Sequence, residues 1–387
     1  MSAWPGKTVI GLTGNIATGK SVVRKMLEHL GAFTIDADFL AHRAIARGEP
    51  GYQPVVEFFG ESILDPDDQI DRARLACLVF VDTEALTNLE NILHPLVGIA
   101  IDRLIRQAQQ PVIVVEAIKL IEAGLAQKCD QIWVTYAPED LQLARLIQHR
   151  GMDETRALQR IQAQPPQESK NAMADVLVQN SSSIADTWRQ VMAHWPDSMP
   201  LVEHHLVRIP VQISPGLILQ RAWPPDTNQV TELLNHLSNR QRQLTPEDVM
   251  DSFARQAYLI LERNQIPIGI CDWNIDKFVA CADEILFTES IPLETLLPAM
   301  ILGMEKLAHE TQCEVMVLCI QNGNSHWQAI VNQMGYQSPA SYDPVMCSWK
   351  GISTASLTGT GTFFVKRLKR PKSIFAPLEL KGVVARG

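Results

Sequence analysis

The first residues in the chain that could do chemistry form the octapeptide GNIATGKS at positions 14–21. It fits the pattern G-x-x-x-x-G-K-[ST], in which backbone N–H groups cradle phosphates, the lysine reaches the outer phosphates and the hydroxyl holds Mg²⁺. The pattern therefore predicts a binding site for a nucleoside triphosphate. The residues assigned to it are Gly14, Asn15, Ile16, Ala17, Thr18, Gly19, Lys20 and Ser21, with Ser21 as a magnesium ligand.

A strand and a helix must hold this loop on either side. Residues 8–13, TVIGLT, form an apolar run that is typical of a buried parallel strand. Apolar residues between Val23 and Leu30 recur at helical spacing, and Gly31 follows as a stop. The helix would begin at the loop, so that its unpaired N–H groups and the positive end of its dipole face the phosphates.

A pair of carboxylates follows the second predicted strand, at residues 33–35. Asp38 falls past the end of that strand and is predicted to face the phosphate loop. A carboxylate there can accept the proton of an attacking hydroxyl or help to hold Mg²⁺. It can also cap a helix that starts at residue 39, and the two roles are compatible. Asp36 is predicted to be structural.

Composition narrows the choice of partners. The 387 residues include 43 acidic and 34 basic side chains, and the net charge of −9 weakly disfavours nucleic acid as a partner. No stretch is apolar enough to span a bilayer, and the first residues do not have the pattern of a signal peptide. The seven cysteines occur without any C-x-x-C pair, which favours reduced thiols. We therefore expect a cytoplasmic protein that does not bind membranes, and the sequence leaves its oligomeric state open.

Strand patterns alternate with helical patterns over the first half of the chain. This alternation predicts an α/β domain at residues 1–195, in which helices cover both faces of a parallel sheet as in P-loop NTPases. A proline-rich linker at 196–210, a mixed α/β domain at 211–370 and a basic tail at 371–387 are predicted to follow. The further strands predicted in the first domain lie at 112–115, 132–136 and 176–178, and its helices at 75–80, 86–105 and 141–150.

The stretch from Thr8 to about Asn180 resembles the dephospho-CoA kinase family, whose members use ATP to phosphorylate the ribose 3′-hydroxyl of dephospho-CoA. The pieces that carry the resemblance occur in the family's order over nearly half of the chain. Besides the phosphate loop they include IDAD at 35–38, Ala41 with His42, IDRARL at 70–75, His94 with Pro95, Arg145, Arg150, Arg160 with Gln164, Lys170 and Asn180.

The resemblance implies a role for each matching polar residue. It implies catalytic roles for Asp38, Lys20, Arg145 and Arg150, with Asp38 activating the acceptor hydroxyl and the two arginines lying on a lid over ATP. Asn180 would approach the adenine, and Mg²⁺ would accompany ATP. The residues implied to bind dephospho-CoA are Asp38, His42, Arg72, His94 and Glu116, and those implied to hold the metal are Ser21 and Glu116.

Several positions depart from the family pattern, including Asn15, where glycine is usual, and Val22, where threonine or serine is usual. Ala17 stands where a glycine is usual, so we expect it in an ordinary backbone region. Glu116 stands where the family has aspartate, and it keeps a carboxylate for the magnesium shell. Lys119 stands where leucine is usual; it either binds an anionic group or lies on the surface, and the sequence leaves both open.

The second domain resembles the GNAT acetyltransferase fold in its order of elements: strand, helix, three antiparallel strands, helix, strand, helix, strand. GNAT members bind the pyrophosphate of acyl-CoA at a glycine-rich turn that opens the main helix. Here the corresponding residues 288–294 read TESIPLE, with two acids and neither glycine nor a basic residue. A non-catalytic GNAT-like module with weakened or lost coenzyme binding is therefore predicted.

Three other functions remain open from the sequence. The chain could combine the kinase with an N-acetyltransferase, or the first domain could phosphorylate a nucleoside or nucleotide instead. It could also be a nucleotide-gated binding protein, although a pure sensor needs no acceptor carboxylate such as Asp38. The favoured prediction is a dephospho-CoA kinase whose partner is the small-molecule substrate.

Overall fold

Two β-sheets organise the part of the chain that the computed structural model describes. That part comprises residues 3–195, 206–208, 216–238, 243–288, 291–320, 325–338, 362–368 and 374–375. The first sheet has five strands and the second has eight. Within the described residues no helix combines the length and the apolar character that crossing a membrane requires.

All five strands of the first sheet run parallel, in the order β2-β3-β1-β4-β5. The central strand β1 and its neighbour β3 are almost wholly buried, as expected for a sheet covered on both faces. The loop after β1 therefore leaves the middle of the carboxyl edge of the sheet, where ligands bind in such folds. The strands are β1 (Thr8–Thr13), β2 (Phe33–Asp36), β3 (Val112–Glu116), β4 (Gln131–Tyr136) and β5 (Val176–Gln179).

Helices cover both faces of this sheet. One core cluster joins Ile10 and Leu12 of the sheet to the first and the last helix of the domain. The other joins Val9 and Ile113 to two helices on the opposite face. The strands and helices predicted for this domain are confirmed. The helices are α1 (Lys20–His29), α2 (Ala37–Ala44), α3 (Tyr52–Phe59), α4 (Arg72–Val81), α5 (Thr83–Gln107), α6 (Glu139–Arg150), α7 (Glu154–Gln162), α8 (Gln167–Asn171) and α9 (Ile184–Ala193).

The second sheet is mixed, with strand order β13-β12-β10-β9-β8-β7-β6 and β11 paired to β9. Its strands pair antiparallel except for β10 and β12, which run parallel because α12 crosses over between them. This arrangement matches the predicted GNAT-like order of elements. Its members are β6 (Leu206–Arg208), β7 (Leu217–Arg221), α10 (Thr227–Leu237), α11 (Pro246–Ser252), β8 (Ala257–Arg263), β9 (Ile266–Asp276), β10 (Val279–Ala282), β11 (Ile285–Phe287), α12 (Leu293–Glu310), β12 (Val315–Ile320), α13 (Ser325–Gln333) and β13 (Thr362–Arg367).

The second half differs from the predicted elements in four places, one of which is the additional helix α11 between α10 and β8. The sheet begins inside the predicted linker, since β6 pairs with β7. The third of the predicted antiparallel strands is split into β10 and β11, because the N–H groups of Asp283 and Glu284 both donate to Asp272 Oδ1. Ile374 and Phe375, in the predicted basic tail, are buried against the core of the first domain. Most of that tail and residues 196–205 and 209–210 of the linker lie outside the described residues.

Side chains occupy the start of α12, where acyl-CoA-binding GNAT members have their glycine-rich turn. The ring of Phe287 lies 5.7 Å from that of Trp327. Glu294 accepts from His326 at 3.0 Å on the surface, while the other acid of the motif, Glu289, lies outside the described residues. That this domain has lost coenzyme binding stays a prediction. Among the described residues, these contacts do not contradict it.

A buried polar seam joins the two domains along α1. Lys25 Nζ contacts Glu28 at 2.5 Å and donates to Asn274 Oδ1 at 3.0 Å. His29 Nε2 lies 2.8 Å from the carbonyl oxygen of Phe253, and Arg221 Nη2 lies 3.3 Å from its Nδ1. A neutral ring that donates through Nε2 and accepts at Nδ1 satisfies both contacts. Burial and the neighbouring Arg221 lower the pKa of His29 to about 3.

The lowered pKa of His29 predicts that acid weakens the fold. An unfolded histidine titrates near pH 6.5, so between about pH 6.5 and 3 the unfolded chain binds the proton that the folded chain excludes. The free energy of unfolding should therefore fall as pH drops through this window, by roughly 1–2 kcal/mol between pH 7 and 5. Calorimetry on the wild type and on His29→Gln checks this. The variant should lose less stability over the same pH range, and equal losses would contradict the assignment.

Candidate active site

The phosphate loop has three residues in the left-handed half of backbone space. Gly14 and Gly19 have φ of +151° and +97°, and Ala17 has φ of +59°. The prediction of an ordinary backbone at Ala17 is therefore wrong. The left-handed region costs an alanine about 1 kcal/mol, and a hydrogen bond from Arg145 Nη1 to the carbonyl oxygen of Ala17, at 3.1 Å, helps to hold it there.

Gly19 is a loop position with no room for a side chain. A Cβ atom there would lie 1.8 Å from Asn180 Nδ2, which itself donates to the carbonyl oxygen of Thr18. Gly19→Ala should therefore lower the free energy of unfolding by about 1–3 kcal/mol, through strain and displacement of the buried amide. Denaturant titration measures this, with Ala17→Gly as the matched control because glycine fits its φ without strain. Equal stability of Gly19→Ala and wild type would contradict the prediction.

Lys20 lies folded over the loop. Its Nζ donates to the carbonyl oxygens of Gly14 at 2.9 Å and Asn15 at 3.3 Å. Burial lowers the pKa of Lys20, and the nearby carboxylates of Glu116 and Asp38 oppose that shift. The ammonium group thus already stands at the mouth of the loop, where the outer phosphates are predicted.

Two glutamine side chains accept hydrogen bonds from backbone N–H groups of the phosphate loop. Gln167 Oε1 accepts from Asn15 N at 3.2 Å, and Gln164 Oε1 accepts from Ile16 N at 2.8 Å. Both donors belong to the set that is predicted to receive phosphate oxygens. From the sequence, Gln164 was predicted only as a match to the family pattern, and Gln167 was given no role. Their amide oxygens stand in the structure where an anion is predicted.

Asp38 lies in the first turn of α2, at the same edge of the sheet as the loop. Its Oδ2 accepts from Ile118 N at 3.1 Å. Burial and the neighbouring Asp36 raise the pKa of Asp38, while Ile118 N and the charges of Lys20 and Lys170 oppose the shift. The helix cap is Asp36, which accepts from Phe39 N at 2.8 Å. The structural role predicted for Asp36 is observed, and Asp38 is left facing the site.

Glu116 ends β3 beside this carboxylate. Its Oε2 pairs with Arg24 Nε at 2.9 Å. Burial, followed by Asp36 and Asp38, raises the pKa of Glu116, while Arg24 and Lys20 lower it. Ser21, in the first turn of α1, is exposed. The structure thus brings carboxylates and a hydroxyl to one edge of the sheet, which are the hard oxygen donors that Mg²⁺ prefers.

Lys170 belongs to this group, although sequence analysis gave it no role. Its side chain is 4% exposed, and Nζ donates to the carbonyl oxygen of Ile118 at 2.8 Å while lying 3.8 Å from Glu122. Ile118 is therefore held at two backbone atoms. Lys170 donates to its carbonyl oxygen, and its N–H donates to Asp38. The sequence showed only that Lys170 matches the family pattern. Its burial, which points to a role in the site, could not be predicted from the sequence.

Arg145 and Asn180 lie against the phosphate loop, whereas Arg150 lies at the surface. Arg145 donates to the carbonyl oxygens of Ala17 at 3.1 Å and Asn180 at 2.8 Å, so it braces the loop. Asn180 is buried, and Thr187 donates to its Oδ1 at 3.1 Å. The Asn180 side chain in turn donates to the carbonyl oxygen of Thr18 and so supports the loop. Arg150 is exposed at the end of α6, near enough to Lys20 to affect its pKa. Phosphate contact by the arginines and adenine contact by Asn180 stay predictions.

The three residues predicted to bind the acceptor's outer parts lie on different helices. His42 is on α2, and desolvation followed by Arg72 and Lys277 lowers its pKa. Arg72 begins α4 and is exposed. His94 lies on α5 and lines a largely apolar cavity of about 660 Å³ whose lining includes no residue of the phosphate loop. His42 thus lies one helical turn from Asp38 on α2, with Arg72 near it, whereas His94 lines a cavity whose lining includes none of these three residues. Lys119 pairs on the surface with Glu90 at 2.9 Å.

A phosphate loop after the central strand of a parallel sheet, facing a second carboxylate, defines a P-loop protein of the kinase class. The family model described as dephospho-CoA kinase matches residues 8–186. A dephospho-CoA kinase from Geobacter metallireducens is 43% identical over 192 residues, which are 49% of this chain and 96% of that protein. One from Aquifex aeolicus is 41% identical over 183 residues, 47% of this chain and 93% of that protein. The chain belongs to the dephospho-CoA kinase family.

Solved structures match each half of the chain separately. The dephospho-CoA kinase from Campylobacter jejuni matches at 27% identity and a TM-score of 0.37, over 48% of this chain and 94% of its own. An N-acetyltransferase from Staphylococcus aureus matches at 11% identity and a TM-score of 0.30, over 40% of this chain and 99% of its own. With scores this low, the GNAT-like fold of the second domain rests on its strand order.

Proposed function

We propose that this protein transfers the γ-phosphoryl group of ATP to the ribose 3′-hydroxyl of dephospho-CoA, giving coenzyme A and ADP. The observation that carries the proposal is the position of Asp38. Its half-buried carboxylate lies within electrostatic reach of Lys20, across the edge of the sheet from the phosphate loop. A nucleotide-binding protein without an acceptor has no use for this arrangement. The name of the matching family supplies the identity of the acceptor.

In this mechanism the acceptor oxygen attacks the γ-phosphorus, the bond to the bridging oxygen of ADP breaks, and the proton of the hydroxyl passes to Asp38. The raised pKa of Asp38 makes it a stronger base than a free aspartate. Lys20 leaves the Gly14 and Asn15 carbonyl oxygens for the phosphates and balances charge on the transferring group. Lys170 and Ile118 keep Asp38 in place.

Mg²⁺ fits the donors of this site. Ser21 and Glu116 would hold it, and Glu116 keeps one carboxylate oxygen outside its bond to Arg24. Magnesium is commonly bound by one or two protein oxygens together with substrate phosphates, which suits a site where the described residues form no cluster of three or more metal-binding side chains. When bound, the ion would neutralise charge on the phosphate oxygens.

The direct test is an assay of the full-length protein with ATP, Mg²⁺ and dephospho-CoA, with the product resolved by chromatography. Formation of 3′-phosphorylated product at rates above those with AMP or adenosine supports the proposal. No product from folded protein overturns it, and faster turnover of AMP or a nucleoside would favour the other kinase function. A cytoplasmic location remains a prediction.

For the second domain we propose a non-catalytic role. The motif at its main helix carries acids, and Glu294 there pairs with His326 on the surface. Calorimetric titration of the full-length protein with acetyl-CoA, with the kinase site saturated by ADP and dephospho-CoA, which cannot react with each other, tests this. Heat of binding that persists under saturation would contradict the proposal and favour the bifunctional alternative.

A further inference from the structure

The turn between β9 and β10 of the second domain reaches the first domain beside α2. Lys277 and Phe278 both have left-handed backbones, with φ of +50° and +64°, and Asp276 pairs with Val279 across the turn. A two-residue turn of this kind matches the twist of its strands and forms a compact, rigid tip. We call residues 276–279 the hairpin turn.

Aromatic and ionic contacts anchor the hairpin turn to α2. The ring of Phe278 lies 6.0 Å from the ring of Phe39, the residue after Asp38. Arg43 stacks over Phe278 at 5.7 Å and pairs with Glu314 of the second domain at 2.9 Å. The Arg43 and Glu314 side chains are only 9% and 10% exposed. The turn is therefore held in a defined place beside the helix that carries Asp38.

A second contact ties the hairpin turn to the phosphate side of the site. Arg24 lies between two carboxylates, at 3.6 Å from Asp276 and 2.9 Å from Glu116. Glu116 is a carboxylate that we propose for the magnesium ion. One tip of the second domain thus touches both the helix of Asp38 and a partner of Glu116.

Lys277 supplies a partly exposed ammonium group at the hairpin turn. Its Nζ lies 6.0 Å from the ring centre of Phe39 and 3.8 Å from Asp276, and its side chain is 34% exposed. Asp38 and His42 lie four residues apart and therefore on one face of α2, and Lys277 is close enough to His42 to add to the lowering of its pKa by burial. A partly exposed pair with Asp276 is weak, which leaves the ammonium group available to a ligand. Arg72 lowers the pKa of His42 as well, so both cations lie near this residue of α2.

We propose that Lys277 of the second domain is a binding residue of the kinase site, where its ammonium group contacts an anionic group of the acceptor such as the diphosphate of dephospho-CoA. The inference rests on the proposed function. Asp36, Asp38 and Glu116 would repel a polyanionic acceptor, and a cation next to α2 would add to Lys20 and Lys170 in offsetting that repulsion. The second domain would then complete the acceptor site and discriminate among acceptors by charge.

The test uses full-length protein and four versions of it: wild type, Lys277→Ala, Lys277→Arg, and Lys306→Ala as a matched exposed lysine on α12. Calorimetry measures the Kd for dephospho-CoA, and initial rates give KM for each substrate. Lys277→Ala should weaken dephospho-CoA binding roughly tenfold, the effect of one charge-assisted contact. Lys277→Arg should restore affinity, Lys306→Ala should match wild type, and KM for ATP should not change. The loss should shrink as salt screens the contact.

Two results would overturn the inference. One is wild-type affinity in Lys277→Ala, and the other is an equal loss for ATP and dephospho-CoA accompanied by a lower melting temperature, which would mean that Lys277 only helps the domains to dock. The ratio of the Kd for dephospho-CoA in Lys277→Ala to that in the wild type tests the inference separately from the proposed function. A wild type that binds dephospho-CoA without turning it over refutes the function, and the ratio still decides the role of Lys277. A wild type that does not bind dephospho-CoA refutes both.

Discussion

Asp38→Asn should lower kcat by about 10²–10⁴-fold, which is the usual contribution of a positioned general base. Asparagine keeps the size of the side chain and can still accept from Ile118 N, but it cannot take the proton of the attacking hydroxyl. ATP binding should be spared, because the loop and Lys20 are unchanged. Single-turnover kinetics with dephospho-CoA, together with calorimetry for ATP, checks both parts.

Asp36→Asn is the matched control for this variant. Asp36 caps α2 by accepting from Phe39 N, and asparagine caps helices as well as aspartate does. The control should therefore keep most of the activity, even though both changes remove a negative charge from neighbouring positions. Equal activity in Asp38→Asn and wild type would refute the role of Asp38, and equal losses in both variants would reduce it to a general charge effect.

The pH dependence of the wild type provides an independent check on Asp38. Since burial raises the pKa of this carboxylate above the usual value for aspartate, its basic form is lost at higher pH than for a free side chain. The rate should accordingly fall on the acid side, as pH drops through the raised pKa. Asp38→Asn should lack this acid limb.

Features set by local sequence were predictable, and the loop is the clearest example. The spacing of Gly14, Gly19 and Lys20 dictates a strand, a phosphate cradle and a helix start, because each step depends on neighbouring residues. Ala17 shows the limit of such reasoning. Its left-handed backbone is sustained by Arg145, which is distant in sequence, so a rule about alanine alone gave the wrong expectation.

Contacts between distant residues could not be predicted. Nothing in the pattern around Gln167 or Gln164 indicates that their side chains reach the loop N–H groups. Along α1, Lys25 and His29 have the composition of an exposed helical face, yet both are buried against the second domain. Their environment depends on how the two domains dock, and docking is decided by surface complementarity that one sequence without its fold does not display.

The second large prediction contrasts two lysines of α1: Lys25 is buried, and Lys20 is partly buried. Lys25 pairs with Glu28 at 2.5 Å and stabilises the seam. Lys20 contacts only carbonyl oxygens of its own loop among the described residues, and burial lowers its pKa. A desolvated cation without a close ionic partner costs stability, so we expect Lys20 to serve phosphate binding rather than the stability of the fold.

Lys20→Met should therefore lower kcat/KM for ATP by about 10²–10³-fold, the loss expected when one preorganised charge is removed from a transferring group. The same change should leave the free energy of unfolding unchanged or raise it, since an apolar side chain of similar length replaces a desolvated ammonium. Lys25→Met should do the reverse, costing roughly 3 kcal/mol by leaving Glu28 buried without that partner while sparing turnover at temperatures where the protein is folded. Steady-state kinetics and denaturant titration on the two variants separate these outcomes. Loss of stability in Lys20→Met would mean that the lysine supports the loop rather than the phosphates.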